Sequence, residues 1–209
     1  VLEGLRLTGP RMADLVEGVR ALAPDGAVRV HCWRGGERSA SVAWLLEKAG
    51  FTEVTTLQRG YKSFREHVLG SFNAPVELTV IGGFTGTGKT LLLQRLREMG
   101  EQTVDLEDLA NHKGSAYGGI GEAAQPTTEH FENLLWHELR KCDDGRTLWV
   151  EDESALIGRV KLPDVFFARL RSSTVYFLDM PSELRARRLV EIYGACPKEQ
   201  LAAATVRIE

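Results

Sequence analysis

Residues 83–90 read Gly-Phe-Thr-Gly-Thr-Gly-Lys-Thr, and this octet narrows the possible folds more than any other stretch of the chain. It satisfies G-x-x-x-x-G-K-[ST] in full. The apolar run LTVIG precedes it, and LLLQRLREMG, with helical apolar spacing, follows. That strand–loop–helix context makes the octet a P-loop. Backbone N–H groups and Lys89 would hold a diphosphate, and the Thr90 hydroxyl would ligate Mg²⁺. Gly83, Gly86, Thr87, Gly88, Lys89 and Thr90 are therefore the expected phosphate-binding set. A loop of this kind sits at the carboxyl end of a strand in a parallel sheet, where α/β folds bind their ligands.

The residues around it supply such a sheet. Further strands are predicted over 102–106, 146–152 and 173–180, with helices over 89–99, 127–141 and 181–193. An acidic partner for Mg²⁺ is expected where an apolar strand ends. TLWVEDES offers Glu151 first, directly after the apolar run, with Asp152 beside it and Glu153 next. Asp105 and Glu107 close an earlier strand and are placed to face the same crevice. The stretch LANHKGSAYGGIG (109–121) is rich in glycine and small residues, so a mobile loop is predicted there. Asn111, His112, Lys113 and Ser115 are its candidate substrate contacts.

The chain before residue 71 also alternates helix and strand. Helices are predicted over 10–23, 38–50 and 61–70, and strands over 27–32 and 53–57. The segment SFNAP (71–75) reads as a linker between a first domain, 1–72, and a P-loop domain, 76–209. The expected class is α/β in both halves, with parallel sheets. Two strands are few for a covered parallel sheet, and TVRIE (205–209) runs on in a helical pattern without a stop signal. The first unit is therefore expected to be incomplete, and the chain to be part of a longer protein.

Composition excludes several classes. With 43% apolar and 26% charged residues, disorder is not expected. No apolar run approaches the roughly 18 residues of a membrane span, and no secretory signal heads the chain. The net charge of −3 argues against a broadly basic nucleic-acid surface. One basic cluster, Arg185, Arg187 and Arg188, reads either as a solvated helix face or as a local binding patch. Cys32, Cys142 and Cys196 are odd in number and irregularly spaced, which fits neither a disulfide framework nor a zinc site. A reducing cytoplasm is the expected setting.

Cys32 has unusual company: HCWRGGERS (31–39) follows a predicted strand and leads into a helix. Gly35 and Gly36 let the backbone curl so that successive N–H groups face an anion. A thiol in such a ring, at a helix N-terminus, ionises easily. Cys32 is thus the expected nucleophile, with Arg34 or Arg38 steadying an incoming oxyanion. Cys142 and Cys196 lack such neighbours and are expected to be inert.

Two families share this loop. It resembles that of rhodanese-like sulfurtransferases, whose cysteine carries a persulfide, and it matches the H-C-x5-R pattern of cysteine phosphatases. The loop is one residue longer than the common sulfurtransferase loop, which implies a roomier cradle suited to a phosphate-type donor. A rhodanese-like cysteine loop followed by a P-loop domain resembles the bacterial tRNA 2-selenouridine synthases. The words that carry the likeness are CWRGGERS, GGFTGTGKT, DLEDLANHKGSAYGG and VEDES, in that order.

The resemblance implies a two-step change at the wobble uridine of tRNA. The 2-thio group is alkylated by geranyl diphosphate, and selenium from selenophosphate then displaces the geranylated sulfur. It implies that Cys32 carries selenium as a cysteine-bound selane. The expected partners are tRNA, geranyl diphosphate and selenophosphate, with Mg²⁺ as cofactor and no membrane. Phe84, Trp136, Trp149 and Phe166 are the aromatics available for an apolar slot. The alternatives are a sulfurtransferase that uses ATP for tRNA thiolation and a cysteine phosphatase.

Overall fold

The computed structural model describes residues 2–143 and 145–206. Residues 207–209, the end of the predicted helical run, lie outside them. The contacts divide the chain into two units between His67 and Val68.

The first unit contains α1 (Leu2–Leu22), β1 (Ala27–Val30), α2 (Glu37–Lys48) and β2 (Glu53–Thr56). The helix α3 (Tyr61–Ser71) begins in it and crosses the division. β1 and β2 pair in parallel with Ala27 opposite Glu53 and Val30 opposite Thr56. Parallel pairing needs a crossover between the strands, and α2 provides it. Leu46 and Ala43 of α2 are buried. α1 starts well before the predicted residue 10, running through Pro10. Met12, Leu15 and Leu22 on its apolar stripe are exposed.

The second unit holds a four-stranded parallel sheet. Its strands are β3 (Leu78–Gly83), β4 (Gln102–Val104), β5 (Leu148–Glu151) and, after the small antiparallel hairpin β6 (Leu156–Ile157) and β7 (Val160–Lys161), β8 (Thr174–Leu178). The spatial order is β4-β5-β3-β8, which puts the P-loop strand β3 between two partners. Val80 and Ile81 pair with Val150 and Glu151 on one side and with Val175 and Tyr176 on the other. The two inner strands are almost wholly buried, which explains their unbroken apolar runs. β8 at the edge leaves Val175, Tyr176 and Phe177 exposed.

The helices of this unit are α4 (Lys89–Glu98), α5 (Leu106–Ala110), α6 (Thr128–Leu139), α7 (Asp164–Ser172), α8 (Ser182–Tyr193) and α9 (Lys198–Thr205), of which α4, α6 and α7 pack on the sheet. Leu93, Leu106, Phe131, Leu135, Phe166 and Leu170 fill the space between helices and sheet. Local capping sets several starts. Asp105 accepts from the Asp108 N–H at 2.8 Å to open α5, and Thr127 accepts from His130 N–H at 3.2 Å to open α6. Pro163, Pro181 and Pro197 stand just before α7, α8 and α9. The segment expected as a linker is ordered at its end, where the Arg169 guanidinium donates to the Ala74 carbonyl at 2.8 Å.

Candidate functional site

In the first unit, β1 delivers the chain to Cys32 and the backbone then turns back into α2. Gly35 and Gly36 both have positive φ, 74° and 96°, and Gly36 is the N-cap of α2 without any side-chain cap. The helix opens at Glu37, one residue before the predicted Arg38. The Ser39 hydroxyl lies 3.5 Å from Cys32 Sγ and 2.9 Å from the Gly36 carbonyl. The thiol in turn reaches the Arg34 carbonyl at 3.2 Å.

Hydrogen bonds donated toward the sulfur lower the Cys32 thiol from 9.0 to about 7. The Ser39 hydroxyl is the largest cause, followed by the Ser39 N–H, with the Gly36 and Arg34 N–H groups adding to it. A hydroxyl has one proton, so Ser39 serves either Gly36 O or sulfur. Losing the thiol proton turns it toward sulfur. Arg34 and Arg38 are exposed, and neither has an ion-pair partner among the described residues. Neither guanidinium is among the causes of the lowered thiol, which is tuned by the hydroxyl and the amides.

The loop's far wall comes from residues 59–61. Gly60 has φ 62°, and a Cβ there would stand 2.3 Å from Cys32 O and 3.3 Å from Sγ. Tyr61 N–H donates to Cys32 O at 2.7 Å, and the Trp33 and Tyr61 rings stack 4.9 Å apart. Arg59 is held by a bidentate pair with Glu66 at 2.7 and 2.8 Å. Cys142, by contrast, has its thiol pushed up by burial.

In the second unit the P-loop leaves β3 and enters α4. Gly86 and Gly88 have φ 88° and 90°, and Gly88 is the N-cap of α4, again with no side-chain cap. Lys89 Nζ folds back to donate to Gly83 O at 3.2 Å, where a phosphate oxygen would compete for it. Thr87 Oγ1 donates to Phe84 O at 2.9 Å. The loop borders a cavity of about 710 Å³, which lies within the range of small-ligand sites.

Carboxylates from three segments wall that cavity: Asp105, Glu107 and Asp108 from the first, Glu122 from the second, and Asp152 and Glu153 from the third. Thr90 Oγ1 donates to Glu107 Oε2 at 3.1 Å. Burial, then the charge of Glu107, pushes Glu153 from 4.5 to about 8, and burial also raises Glu107. The two carboxyls hold a proton between them. Gly114 permits this crowding, since a Cβ there would lie 2.6 Å from oxygens of both. Asp152 is ion-paired with Arg171.

Glu151, the first choice from the sequence, is not among the cavity walls. It is 1% exposed and accepts the Glu107 N–H at 2.8 Å, while its Oε2 has no partner. Burial, then Asp105, raises its carboxyl well above the ordinary range, so it stays protonated beneath the site. The last strand residue points into the core, and only the next residues emerge to the cavity.

The four residues chosen from loop 109–121 separate. His112 and Lys113 line the P-loop cavity, and Ser115 lines an adjoining apolar one. Asn111 ends α5 with φ 50° and donates to Ala124 O at 3.0 Å, a backbone role away from both. The loop expected to be mobile is tied down: Lys113 pairs with Glu122 at 2.6 Å, and Gln125 donates to Ala110 O and Ile157 O at 3.1 and 2.9 Å. His112 is kept neutral by burial and packs on the bare faces of Gly118 and Gly158.

The basic cluster of α8 also reaches the P-loop. A Cβ on Gly88 would lie 2.8 Å from Arg188 Nη1, so this guanidinium rests on the turn itself. Arg185 donates to Thr85 O at 3.4 Å and lies 5.0 Å over the Phe84 ring. Arg188 lines the P-loop cavity, and among the described residues it has no ion-pair partner.

A family model described as the tRNA 2-selenouridine synthase AAA domain matches residues 76–207. The chain belongs to the tRNA 2-selenouridine synthase family. A relative from Bdellovibrio bacteriovorus named tRNA 2-selenouridine synthase is 40% identical over 87% of this chain and 50% of its own length. Relatives of the same name from Shewanella loihica and Sulfurovum sp. are 39% and 37% identical, over 78% and 85% of this chain and 44% and 48% of their own. The chain thus spans about half the length of the curated relatives it matches. An unliganded sugar kinase from Janibacter sp. HTCC2649 aligns with a TM-score of 0.31 at 18% identity, over 65% of this chain and 79% of that one, too distant to add to this.

Within this member of the tRNA 2-selenouridine synthase family, sequence reasoning missed Ser39. Its signal was a hydroxyl in the first turn of a helix whose cap is glycine. Arg188 was seen only as part of a charge cluster, and its address needed the packing of α8. Among the aromatics considered for an apolar slot, Phe84 borders the P-loop cavity and Phe166 is core. Trp149 packs on Tyr176 and Trp136 beneath Arg140.

Proposed function

We propose that this chain performs the replacement of sulfur by selenium at a 2-thiouridine of tRNA, with prenylation at the P-loop and selenium handling at Cys32. The observation that carries this reading is the presence, on one chain, of a thiol brought to about 7 and of a P-loop cavity walled by Lys89 and Arg188. A reducing cytoplasm suits a working thiolate, and no helix among the described residues is long and apolar enough to cross a membrane.

In the first step the thiocarbonyl sulfur attacks C1 of geranyl diphosphate. The carbon–oxygen bond to the diphosphate breaks, the diphosphate leaves with the electron pair, and the ring loses its N3 proton. Lys89, Arg188 and the P-loop N–H groups would stabilise the charge that collects there. In the second step the selenium of selenophosphate attacks C2 of the base, the carbon–sulfur bond breaks to release geranyl thiol, and water takes the phosphoryl group as the phosphorus–selenium bond breaks, leaving phosphate and 2-selenouridine. Alkylation matters because a thioether-type sulfur leaves as a stable thiol. The Cys32 loop, with amides facing the thiol and with the exposed Arg34 and Arg38 nearby in sequence, suits a donor of phosphate size.

Thr90, Asp152 and Glu153 offer hard oxygen donors of the kind Mg²⁺ takes. Among the described residues no cluster of three acidic, histidine or cysteine ligands forms a self-sufficient metal cage. That fits an ion bound by one or two protein groups together with substrate phosphates. Mg²⁺ there would supply charge compensation for the departing diphosphate.

The test is mass analysis of thiolated tRNA incubated with geranyl diphosphate and then selenophosphate. Lys89→Ala should block the gain of the prenyl mass, and Cys32→Ala should block only the later gain of selenium. A prenyl gain that survives in Lys89→Ala and vanishes in Cys32→Ala would reverse the two assignments. Sulfur incorporation that consumes ATP would replace the reading altogether.

A further inference from the structure

The P-loop cavity continues past the loop itself. Thr85, Leu189 and Tyr193 are shared with a second cavity of about 630 Å³. Its remaining walls include Ala116, Tyr117, Val190 and Leu201. The chemistry changes across the shared residues. One side carries Lys89, Arg188 and the carboxylates; the other presents aliphatic and aromatic carbon, with Thr85 and Ser115 as its polar side chains besides the tyrosine hydroxyls.

Tyr193 stands at the junction. It is 8% exposed, its ring lies 5.8 Å from that of Tyr117, and Lys113 Nζ sits 5.6 Å over its face. Tyr117 is fixed in turn, its hydroxyl paired with Thr205 Oγ1 at 3.0 Å and its N–H donating to Ser115 Oγ at 3.3 Å. The wall is thus ordered by contacts of its own residues. A nucleobase would need donors and acceptors along its edge, and among the described residues no carboxamide or charged side chain borders this cavity.

We propose that this second cavity receives the hydrocarbon chain of a diphosphate ester whose head lies on the P-loop, and that Ala116 and Leu201 set the chain length it accepts. The proposal rests on the reading of the P-loop as a diphosphate-ester site and deepens it. The shared walls let one molecule lie across both cavities, with C1 near the boundary and the apolar tail running toward α9. Each buried methylene strengthens binding about fourfold, so even partial burial of a ten-carbon chain dominates affinity. Ala116 is exposed on the loop side, and a large side chain there fills the slot without disturbing the core.

The test is calorimetric titration of this chain, with Mg²⁺, against inorganic diphosphate and the dimethylallyl, geranyl and farnesyl diphosphates. Affinity should rise at least tenfold from inorganic diphosphate to geranyl diphosphate. Ala116→Trp and Leu201→Trp should each erase that rise while leaving inorganic diphosphate within about twofold, with melting curves confirming the fold. Lys89→Ala should weaken the whole series. Equal affinity along the series in the wild type, or a rise that survives in both tryptophan variants, would overturn the cavity assignment and leave the P-loop reading intact. Failure of the wild type to bind any diphosphate, the inorganic ion included, would remove the P-loop reading and this one with it.

Discussion

The cysteine loop and the P-loop solve one backbone problem in the same way and fill it with opposite chemistry. Each follows a parallel strand, turns on glycines of positive φ and enters a helix whose N-cap is a glycine, Gly36 at 96° and Gly88 at 90°. Neither helix start is capped by a side chain, so its first N–H groups remain available to an anion. In the first loop the protein supplies the anion itself, the Cys32 thiolate, and adds a hydroxyl to steady it. In the second it supplies a cation, Lys89, and sets carboxylates behind it. The difference teaches that a ring of amides fixes only a preference for negative charge. The residue seated in it decides whether the loop makes a nucleophile or holds a leaving group.

That comparison breaks first at the glycines. Both Gly36→Ala and Gly88→Ala place a side chain in the left-handed region, at a cost of about 1–2 kcal/mol each. A Cβ on Gly36 meets nothing nearer than 3.8 Å, whereas one on Gly88 meets the Arg188 guanidinium at 2.8 Å. Gly88→Ala should therefore weaken inorganic diphosphate binding by about tenfold or more. Gly36→Ala should slow thiol alkylation less. Equal losses would mean that Arg188 contributes nothing at the turn.

The thiol offers a sharper test with a smaller effect. Alkylation of Cys32 by iodoacetamide should rise with pH through an inflection at about 7. Below it the thiol holds its proton and reacts slowly. Ser39→Ala removes the largest cause of that lowering, so the inflection should move upward and the rate at pH 7 fall roughly threefold to tenfold. An unmoved inflection would assign the effect to the backbone amides alone.

A further test, read in stability instead of binding or rate, lies in the carboxyl pair. Glu153 has its carboxyl raised from 4.5 to about 8, so the folded state holds a proton that the unfolded chain releases. Its contribution to stability is complete below about 4.5 and is lost as pH rises through about 8. Urea unfolding of the wild type should show this decline, and Glu153→Gln should flatten it. A Glu153→Gln chain that keeps the full slope would place the proton elsewhere.

Much of this was legible from residue order, and the failures share a cause. The P-loop, both glycine turns and the four parallel strands of the second unit follow from local spacing, which is why they were found where the structure has them. α7 escaped notice although Pro163 and the Phe166–Leu170 spacing signalled it. Glu151 was preferred because it ends the apolar run. A strand alternates its faces, so the last residue of the run points inward and takes the Glu107 N–H. The glycine-rich loop looked mobile because its anchors, Glu122 and Gln125, act through pairings that spacing does not reveal.

The sequence alone determined that two strand–loop–helix cradles exist and that one centres on sulfur and the other on lysine. Glycine's freedom at positive φ and the apolar periodicity of the flanking elements are properties of neighbouring residues. Tertiary structure alone decided which distant groups serve each cradle. Arg185 meets Thr85 across 100 positions, and Glu107 meets Glu151 across 44. The apolar cavity beside the P-loop likewise exists only because α8, α9 and the loop after α5 converge there. Such meetings depend on how helices pack over the sheet, and no local pattern records that packing.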